Sequence, residues 1–263
     1  MLQNTKIVRG KHMTVPGVAI FYAQCHKTKE GLCRDRWRTE GRGTTVDDSI
    51  EGVPLVAIAM KEAFRKNGYK IDVSLVNKYR GMEKRDAIQS ILNELHELNG
   101  SNNSSFNISV DGLFKDFKFS LNQNLSLIKN EIAGTTEVFQ KLKSTGAMIA
   151  VGSGFPHSVV ETITHTLNWS SLVDFVCSAE KAGHGRPHPA MIHSAMKFCG
   201  VKDPRSVVKV GDTKVDVEEG KNAGCWTISV LTGTQSREFI AESKPDFIIN
   251  SIANLPDLLS NGA

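Results

Sequence analysis

The chain lacks several features that would assign it to a broad class of proteins. It has no run of about 18 or more consecutive apolar residues, the length that a membrane-spanning helix needs. Its five cysteines are an odd number, and no pair has the Cys-x-x-Cys spacing that is typical of zinc and redox sites. These absences argue against a membrane protein and against a disulfide framework, and they favour a cytoplasmic location with reduced thiols.

The charge distribution gives no sign of a nucleic-acid-binding surface. The net charge is +4, but residues 1–42 alone carry nine Lys and Arg against three Asp and Glu, a net of +6. The rest of the chain is therefore slightly acidic, and we predict no nucleic-acid partner.

Residues 1–42 differ from the rest of the chain in pattern as well as in charge. They hold one apolar stretch, residues 15–23, followed by an Arg-rich run. They are not rich in Ser and show no clear amphipathic period, so they do not resemble a transit peptide. We expect an atypical basic segment without a core strand, either a disordered extension or a segment that has been wrongly joined to the chain.

Beyond Gly43 the sequence changes from a helical pattern to an alternating one. Apolar residues at helical spacing predict helices over 53–67, 72–79, 84–98 and about 113–128. Strands are then predicted at 147–151, 175–178, 207–210, 226–231 and 246–249, with helices at 135–144, 158–167, 189–199, 218–224 and 252–259. This order predicts an α/β fold, a doubly wound parallel sheet formed by residues 43–50 and 131–263, with an inserted α-helical cap over 51–130.

One predicted strand leads into a pair of acidic residues. The apolar run that starts at Val207 ends at Gly211, and Asp212 and Asp216 follow at a spacing of four residues. At the carboxyl edge of a parallel sheet, both carboxylates would face one crevice. Mg²⁺ prefers such oxygen ligands, often together with a phosphate, so we predict that both residues serve a magnesium site.

Three further segments supply groups suited to a phosphoryl site. Ser153, next to Gly154, offers a hydroxyl and free backbone N–H groups where a strand gives way to a helix. Arg186 lies in a basic Gly-Arg-Pro loop, where its guanidinium can bind a phosphoryl group through two hydrogen bonds. Lys84 begins a predicted cap helix, and a lysine held over a site shielded from water can form a Schiff base with a carbonyl substrate. His184 and His188 are weaker candidates.

Together these segments resemble the haloacid dehalogenase-like hydrolase superfamily, and within it the phosphonoacetaldehyde hydrolases (phosphonatases) and their phosphonatase-like relatives. The resemblance is carried by Gly43-Thr44-Thr45-Val46-Asp47, Gly81-Met82-Glu83-Lys84, Gly185-Arg186-Pro187 and Gly211-Asp212-Thr213. It implies a Rossmann-like core with a cap, and an Asp nucleophile that attacks a small phosphonate or phosphate ester with the help of Mg²⁺. It also implies that Lys84 forms an imine, that Arg186 stabilises the phosphoryl group, and that Thr44, Ser153 and Gly154 help to bind it.

The chain departs from the family pattern most strongly at the nucleophile. The family has four apolar residues followed by Asp-x-Ala-Gly-Thr-Thr-Val-Asp, whereas Glu40 stands at the Asp position here and no apolar strand is expected before it. The His that true phosphonatases have three residues after the lysine is Ala87 here, and their Tyr of the second motif is Phe155. These differences favour the phosphonatase-like relatives. Val110-Asp111-Gly112 imitates the missing motif but follows no buried strand, and we do not expect it to supply the nucleophile.

Two functions are therefore predicted from the sequence. One is a Mg²⁺-dependent hydrolase with Glu40, Lys84, Ser153 and Arg186 as catalytic residues, acting on a small molecule and not at a membrane. The other is a catalytically impaired binding or scaffold protein, because Glu40 replaces the Asp. The oligomeric state stays open, with a homodimer as one alternative.

Overall fold

The structure is a computed structural model that describes residues 18–22, 46–47, 49–50, 53–79, 82–99, 109–128, 130–233 and 235–260. The strands are β1 Val18–Tyr22, β2 Val46–Asp47, β3 Ser49–Ile50, β4 Val53–Pro54, β5 Asn130–Glu131, β6 Met148–Ser153, β7 Phe175–Ser178, β8 Val207–Gly211, β9 Trp226–Val230 and β10 Phe247–Ile249. The helices are α1 Leu55–Lys66, α2 Val73–Lys78, α3 Lys84–Asn99, α4 Val110–Asn124, α5 Thr135–Ser144, α6 His157–Thr166, α7 Ala179–Ala182, α8 Ala190–Phe198, α9 Lys214–Asn222, α10 Arg237–Glu242 and α11 Leu255–Ser260. Short 3₁₀ helices lie at Leu125–Leu127, Pro204–Ser206 and Ile252–Asn254.

Six of the described strands form one parallel sheet, in the order β10-β9-β8-β1-β6-β7. The chain order reverses direction around β1, which pairs with β6 on one side and with β8 on the other. Helices cover both faces of the sheet, and each face has its own apolar cluster. Successive residues of β6 alternate between these two clusters. Ile149 and Val151 pack in the cluster that holds α5 and α6, whereas Ala150 packs in the cluster that holds α8. The predicted doubly wound α/β fold is confirmed.

The expectation that residues 1–42 contribute no core strand is wrong. Val18–Tyr22 forms β1, the strand at the centre of the sheet. The strand pattern of this stretch is weak because the stretch is short and leads into a polar, Arg-rich run. Its partners lie more than a hundred residues away, at Met148–Gly152 and Val207–Val210, so local pattern alone does not identify the pairing.

Helices α1 to α4 form a block between β4 and β5. Their apolar faces meet in a shared core that includes Phe64 of α1 and Leu113 and Phe117 of α4. The chain passes into this block after β2 and returns through β5, which pairs antiparallel with β2. The four predicted helices are confirmed. The boundaries 51 and 130 of a separate cap domain remain a prediction, and "the cap" below means α1 to α4 and the residues between them.

The structure corrects the start of one predicted helix and gives the position of the segment that imitates the nucleophile motif. Helix α9 begins at Lys214, earlier than the predicted residue 218, because Thr213 and Asp216 form a reciprocal capping box at its start. Val110-Asp111-Gly112 lies in the first turn of α4, with the Asp111 side chain exposed. None of the described helices is long and apolar enough to cross a membrane.

Candidate active site

The predicted site residues converge at the carboxyl edge of the sheet. Ser153 is the last residue of β6, and Asp212 directly follows Gly211, the last residue of β8. Strand β1 lies between these two strands, with Tyr22 opposite Gly152. This edge of an open parallel sheet is where ligands bind in doubly wound folds.

Asp212 is buried at the end of β8 and is enclosed by the loop that follows β9. A Cβ atom added at Gly233 would lie 2.4 Å from Oδ2 of Asp212, so this loop approaches as closely as it does only because residue 233 is glycine. The side chain of Asp212 is 2% exposed. The orientation of this carboxylate is therefore restricted by its surroundings.

Asp216 is held in a different way, by four donors on its own chain. Its Oδ1 accepts hydrogen bonds from Arg186 Nη1 at 2.7 Å and from Lys209 Nζ at 2.8 Å. Its Oδ2 accepts from the backbone N–H of Thr213 at 3.1 Å and from the Thr213 hydroxyl at 2.5 Å. Burial by itself would raise the pKa of Asp216, but the positive charges of Lys209 and Arg186 outweigh burial and hold the pKa below its ordinary value.

Two charged residues of this network were not singled out from the sequence. Lys209 lies in the middle of β8, where burial lowers the pKa of its amine although Asp216 and Glu219 act in the opposite direction. Its Nζ lies 3.1 Å from Oε2 of Glu219, whose pKa burial raises. The available signal was a Lys inside an otherwise apolar strand, together with two acids spaced three residues apart on the next helix.

Arg186 reaches this network from the loop between α7 and α8. Its side chain is 2% exposed, and its Nη1 bond to Asp216 fixes one end of the guanidinium. A buried, always charged and planar group of this kind is suited to a phosphoryl oxygen pair. The structure therefore brings Arg186 and the two predicted acids into one buried region.

Ser153 and Gly154 form the turn between β6 and α6. The Ser153 hydroxyl oxygen accepts a hydrogen bond from the backbone N–H of Phe155 at 3.2 Å. Helix α6 starts at His157, so the positive end of a ten-residue helix points toward this turn. The N–H of Phe155 is thus already engaged with Ser153, and phosphate binding by this turn stays a prediction.

Lys84 comes from the cap but is buried against this turn of the core. It is 2% exposed, and its Nζ donates to the carbonyl of Met82 at 3.1 Å. The ammonium also lies 5.8 Å from the centre of the Phe155 ring. A Cβ added at Gly154 would lie 3.5 Å from the same Nζ, which shows how close the amine is to the β6–α6 turn.

An open cleft of about 1140 Å³ adjoins this region between the cap and the 183–189 loop. Met82, Glu83 and Arg186 line it, and the rings of His184 and His188 stack beside it with centroids 4.2 Å apart. Asp212, Ser153 and Lys84 do not line this cleft. It is therefore a neighbour of the buried groups and not the space that they enclose.

Glu40 and Thr44, the other two predicted site residues, lie outside the described residues. The end of β1 is nevertheless fixed by its pairing with β6 and β8. In sequence, Tyr22, Ala23 and Gln24 are the residues that stand at and after this end. No carboxylate is among them.

Comparison with known proteins assigns the family. Residues 49–230, more than half of the chain, match the family model described as haloacid dehalogenase-like hydrolase. The chain belongs to this family.

Within this hydrolase family, the chain is similar to curated proteins named phosphonoacetaldehyde hydrolase. Phosphonoacetaldehyde hydrolase of Bacillus cereus is 28% identical over 198 residues, covering 73% of this chain and 74% of the relative. A bifunctional phosphonoacetaldehyde hydrolase/aminoethylphosphonate transaminase of Clostridioides difficile (strain 630) is 27% identical over 247 residues. That match covers 82% of this chain but only 38% of the longer relative.

Solved structures have the same fold. A phosphonoacetaldehyde hydrolase-like protein from Oleispira antarctica superposes with a TM-score of 0.74 at 19% identity, covering 99% of this chain and 96% of that one. A predicted phosphoglycolate phosphatase from Haemophilus somnus 129PT superposes with a TM-score of 0.72 at 19% identity, covering 92% and 96%. At 19% identity, these superpositions show a shared fold and nothing about activity.

The described residues fit a magnesium ion through Asp212 more readily than through Asp216. Asp212 is a buried hard-oxygen donor at the strand end, and Mg²⁺ commonly uses one or two carboxylates together with waters and a phosphate. Both oxygens of Asp216 already accept two hydrogen bonds each. Within the described ranges, no group of three or more His, Cys, Asp or Glu residues is arranged as a metal site.

Proposed function

We propose that this chain is a Mg²⁺-dependent hydrolase of a small phosphonate or phosphate monoester. The observation that carries the proposal is the burial of four chemically different groups at one edge of the sheet: a carboxylate, a guanidinium, a hydroxyl and an amine, from Asp212, Arg186, Ser153 and Lys84. Burying polar and charged groups costs free energy. A concentration of such groups is therefore typical of a functional site and not of a fold optimised for stability.

The core groups suit a phosphoryl substrate. Arg186 would neutralise the charge that develops on the phosphoryl oxygens, with its guanidinium already oriented by Asp216. The Ser153 hydroxyl and the N–H groups of the β6–α6 turn would donate to the same oxygens. Mg²⁺, when bound, would be held by Asp212 and would offset further negative charge on the phosphoryl group.

Lys84 favours a phosphonate with a carbonyl group as the substrate. Its amine would attack the carbonyl carbon and release water, which leaves an imine between substrate and lysine. When the C–P bond then breaks, the bonding electron pair moves into the protonated imine and gives an enamine. Protonation of the enamine and hydrolysis release the aldehyde and regenerate the amine, while the phosphoryl group passes to a nucleophile and then to water.

The curated relatives support this substrate class, because the two relatives at 27–28% identity are named for phosphonoacetaldehyde hydrolysis.

We propose a cytoplasmic location as well. The thiols of Cys177, Cys199 and Cys225 are all free, as they would be in a reducing compartment.

A second function, binding without turnover, is supported by the end of β1. In the family pattern, the Asp nucleophile follows four apolar residues directly. Here Val18 to Phe21 form that apolar run within β1. Counted forward from this strand, Tyr22 stands at the Asp position, whereas Glu40 stands there only when the pattern is counted back from Gly43. Glu40 is well downstream of this strand end, so a chain that binds phosphonates without cleaving them is the alternative.

Phosphate release separates the two functions. Purified protein with Mg²⁺ is incubated with phosphonoacetaldehyde or p-nitrophenyl phosphate, and the same assay is run on Asp212→Ala and on Asp203→Ala, which changes an aspartate in the loop before β8. The hydrolase predicts release by the wild type and Asp203→Ala but not by Asp212→Ala. If the folded wild type releases no phosphate but binds inorganic phosphate in calorimetry, the chain is a binding protein without hydrolase activity.

A further inference from the structure

We infer that Gly154 and Gly185 are positioning residues that together form a seat for the cap segment of residues 82–84. By accepting this segment at close range, they hold Lys84 against the carboxyl edge of the sheet. The catalytic consequence rests on the proposed function of Lys84. The contact itself and its effect on the burial of Lys84 do not.

Gly185 makes the tighter of the two contacts. A Cβ added at this position would lie 2.4 Å from Cβ of Glu83, 3.1 Å from its Cγ and 3.3 Å from its Cα. Two of these three atoms lie on or next to the backbone, so Glu83 cannot relieve the clash by rotating the end of its side chain. Any residue larger than glycine at 185 must therefore displace the cap segment or the 183–189 loop.

Gly154, in the turn between β6 and α6, makes the second contact. A Cβ added there would lie 3.0 Å from the carbonyl oxygen of Met82 and 3.5 Å from Nζ of Lys84. This carbonyl is the one that accepts the hydrogen bond from Lys84. The same glycine therefore faces both the amine and its hydrogen-bond partner.

Neither position needs glycine for its backbone conformation. Gly183, two residues before Gly185, has a φ of 81°, in the left-handed region that favours glycine. Gly154 and Gly185 are not among the residues with positive φ. What these two positions require is space for the cap segment, and an Ala substitution tests that requirement without backbone strain.

The 82–84 segment is stiff enough to transmit a displacement to Lys84. The Glu83 carboxylate accepts hydrogen bonds from the backbone N–H groups of Arg85 at 2.6 Å and Asp86 at 3.1 Å, which ties it to the first turn of α3. Lys84 is the first residue of that helix. A shift of Glu83 away from residue 185 would therefore move the start of α3 together with the lysine.

Amine labelling tests the seat without relying on catalysis. An N-hydroxysuccinimide ester modifies exposed lysines, and mass spectrometry gives the rate at each one, with Lys61 and Lys66 as exposed internal references. We expect slow labelling of Lys84 in the wild type and several-fold faster labelling in Gly185→Ala. Gly112→Ala is the matched control, because the added Cβ there would meet, among the described residues, only the Ser109 hydroxyl oxygen, at 3.3 Å.

A double variant separates steric displacement from a general loss of stability. Glu83→Gly removes the Cβ and Cγ that the methyl group added at position 185 would meet, but it also removes the carboxylate that ties the segment to α3. The labelling rate of Lys84 in Glu83→Gly is therefore the baseline, and adding Gly185→Ala should change that rate little. The proposal is overturned if Gly185→Ala leaves the labelling rate of Lys84 unchanged. It is also overturned if Gly185→Ala raises this rate equally in the wild-type and Glu83→Gly backgrounds.

Kinetics then test the catalytic consequence. Displacing a reacting group by about 1 Å can cost about a hundredfold in rate. We expect Gly185→Ala to lower kcat for phosphonoacetaldehyde far more than it changes KM, with the loss much smaller in the Glu83→Gly background. A wild type without turnover would refute the proposed function. The labelling rates would still show whether Gly185 positions the cap segment of residues 82–84.

Discussion

Arg186 and Lys209 donate to the same carboxylate oxygen, Oδ1 of Asp216, from two different parts of the chain. Arg186 comes from the loop before α8 and Lys209 from the middle of β8, and all three side chains are at most 2% exposed. Nζ of Lys209 also lies 3.1 Å from Oε2 of Glu219. The predicted second metal residue is thus the centre of a buried charge network, whose outer end, Arg186, lies beside the cleft.

This network predicts that Lys209→Met destabilises the fold strongly. The substitution leaves Glu219 buried without the cation beside it and removes one of the two cations that balance Asp216. Breaking a buried ion pair in this way costs about 3–5 kcal/mol. Urea denaturation followed by circular dichroism measures the loss of unfolding free energy. The double variant Lys209→Met/Glu219→Gln, which removes both charges, should recover most of it, and equal losses in both variants would contradict the pairing.

The pKa of Asp216 predicts a specific loss of stability in acid. Its ordinary value is 3.8 and the folded state lowers it, so the carboxylate contributes stability that is complete above about pH 4 and disappears as the pH falls toward the folded value. The unfolding free energy of the wild type, measured in EDTA, should fall on this acid side more steeply than that of Asp216→Asn. Equal slopes would contradict the lowered pKa.

Glu219 should show the opposite dependence. Its pKa is raised from an ordinary value of 4.5, so its contribution is complete below that value and is lost as the pH rises through the folded pKa. Relative to Glu219→Gln, the wild type should therefore lose stability as the pH rises above 4.5. Denaturation curves of both proteins over the same pH series provide the measurement, and a difference that grows with pH in favour of the wild type would refute the assignment.

Arg186→Lys should impair turnover although it keeps the charge. Lysine cannot reproduce the planar guanidinium that bonds to Asp216 and still faces a phosphoryl group. Loss of one donor that stabilises developing charge costs about 10²–10³-fold in kcat. Steady-state kinetics test this, with Arg205→Lys as the control, since Arg205 lies over the ring of Trp226, away from the network. A kcat within a fewfold of the wild type would exclude a bidentate role.

Lys84→Met should separate two kinds of chemistry. Cleavage of phosphonoacetaldehyde needs the amine and should fall to background, whereas phosphate release from p-nitrophenyl phosphate needs no imine and should fall by less than about tenfold. Borohydride with the aldehyde should trap a reduced adduct on Lys84 in the wild type, and Lys61→Met, an exposed change in the cap, should alter neither reaction. An unmodified Lys84 after trapping would rule out the imine.

The sequence predicts the sheet edge well and the buried network poorly, for physical reasons. Ser153 and Asp212 stand where apolar, β-branched runs end at glycines, so a local pattern locates them. Lys209 looks like an exception inside such a run, because its counter-charges Asp216 and Glu219 become neighbours only when α9 folds back on β8. The contact of Glu83 with Gly185 joins the cap to the core and has no local signal at all.

The strand β1 leads to the last prediction, which concerns the nucleophile. The family pattern places Asp directly after four apolar residues, and β1 supplies that run at the centre of the sheet, but Tyr22 follows it. Replacing residues 22–42 by the tripeptide Asp-Ser-Ala joins the strand to Gly43-Thr44-Thr45 as the family pattern has it. If Glu40 is a displaced nucleophile, this replacement should raise kcat/KM for phosphate release by at least about a hundredfold, since a reacting group misplaced by about 1 Å costs that much. Glu40→Gln in the unaltered chain should then abolish the residual turnover. An increase in the replaced chain without any effect of Glu40→Gln would show instead that Glu40 is not the attacking group, and no increase in a folded replacement would leave the binding function as the better account of this chain.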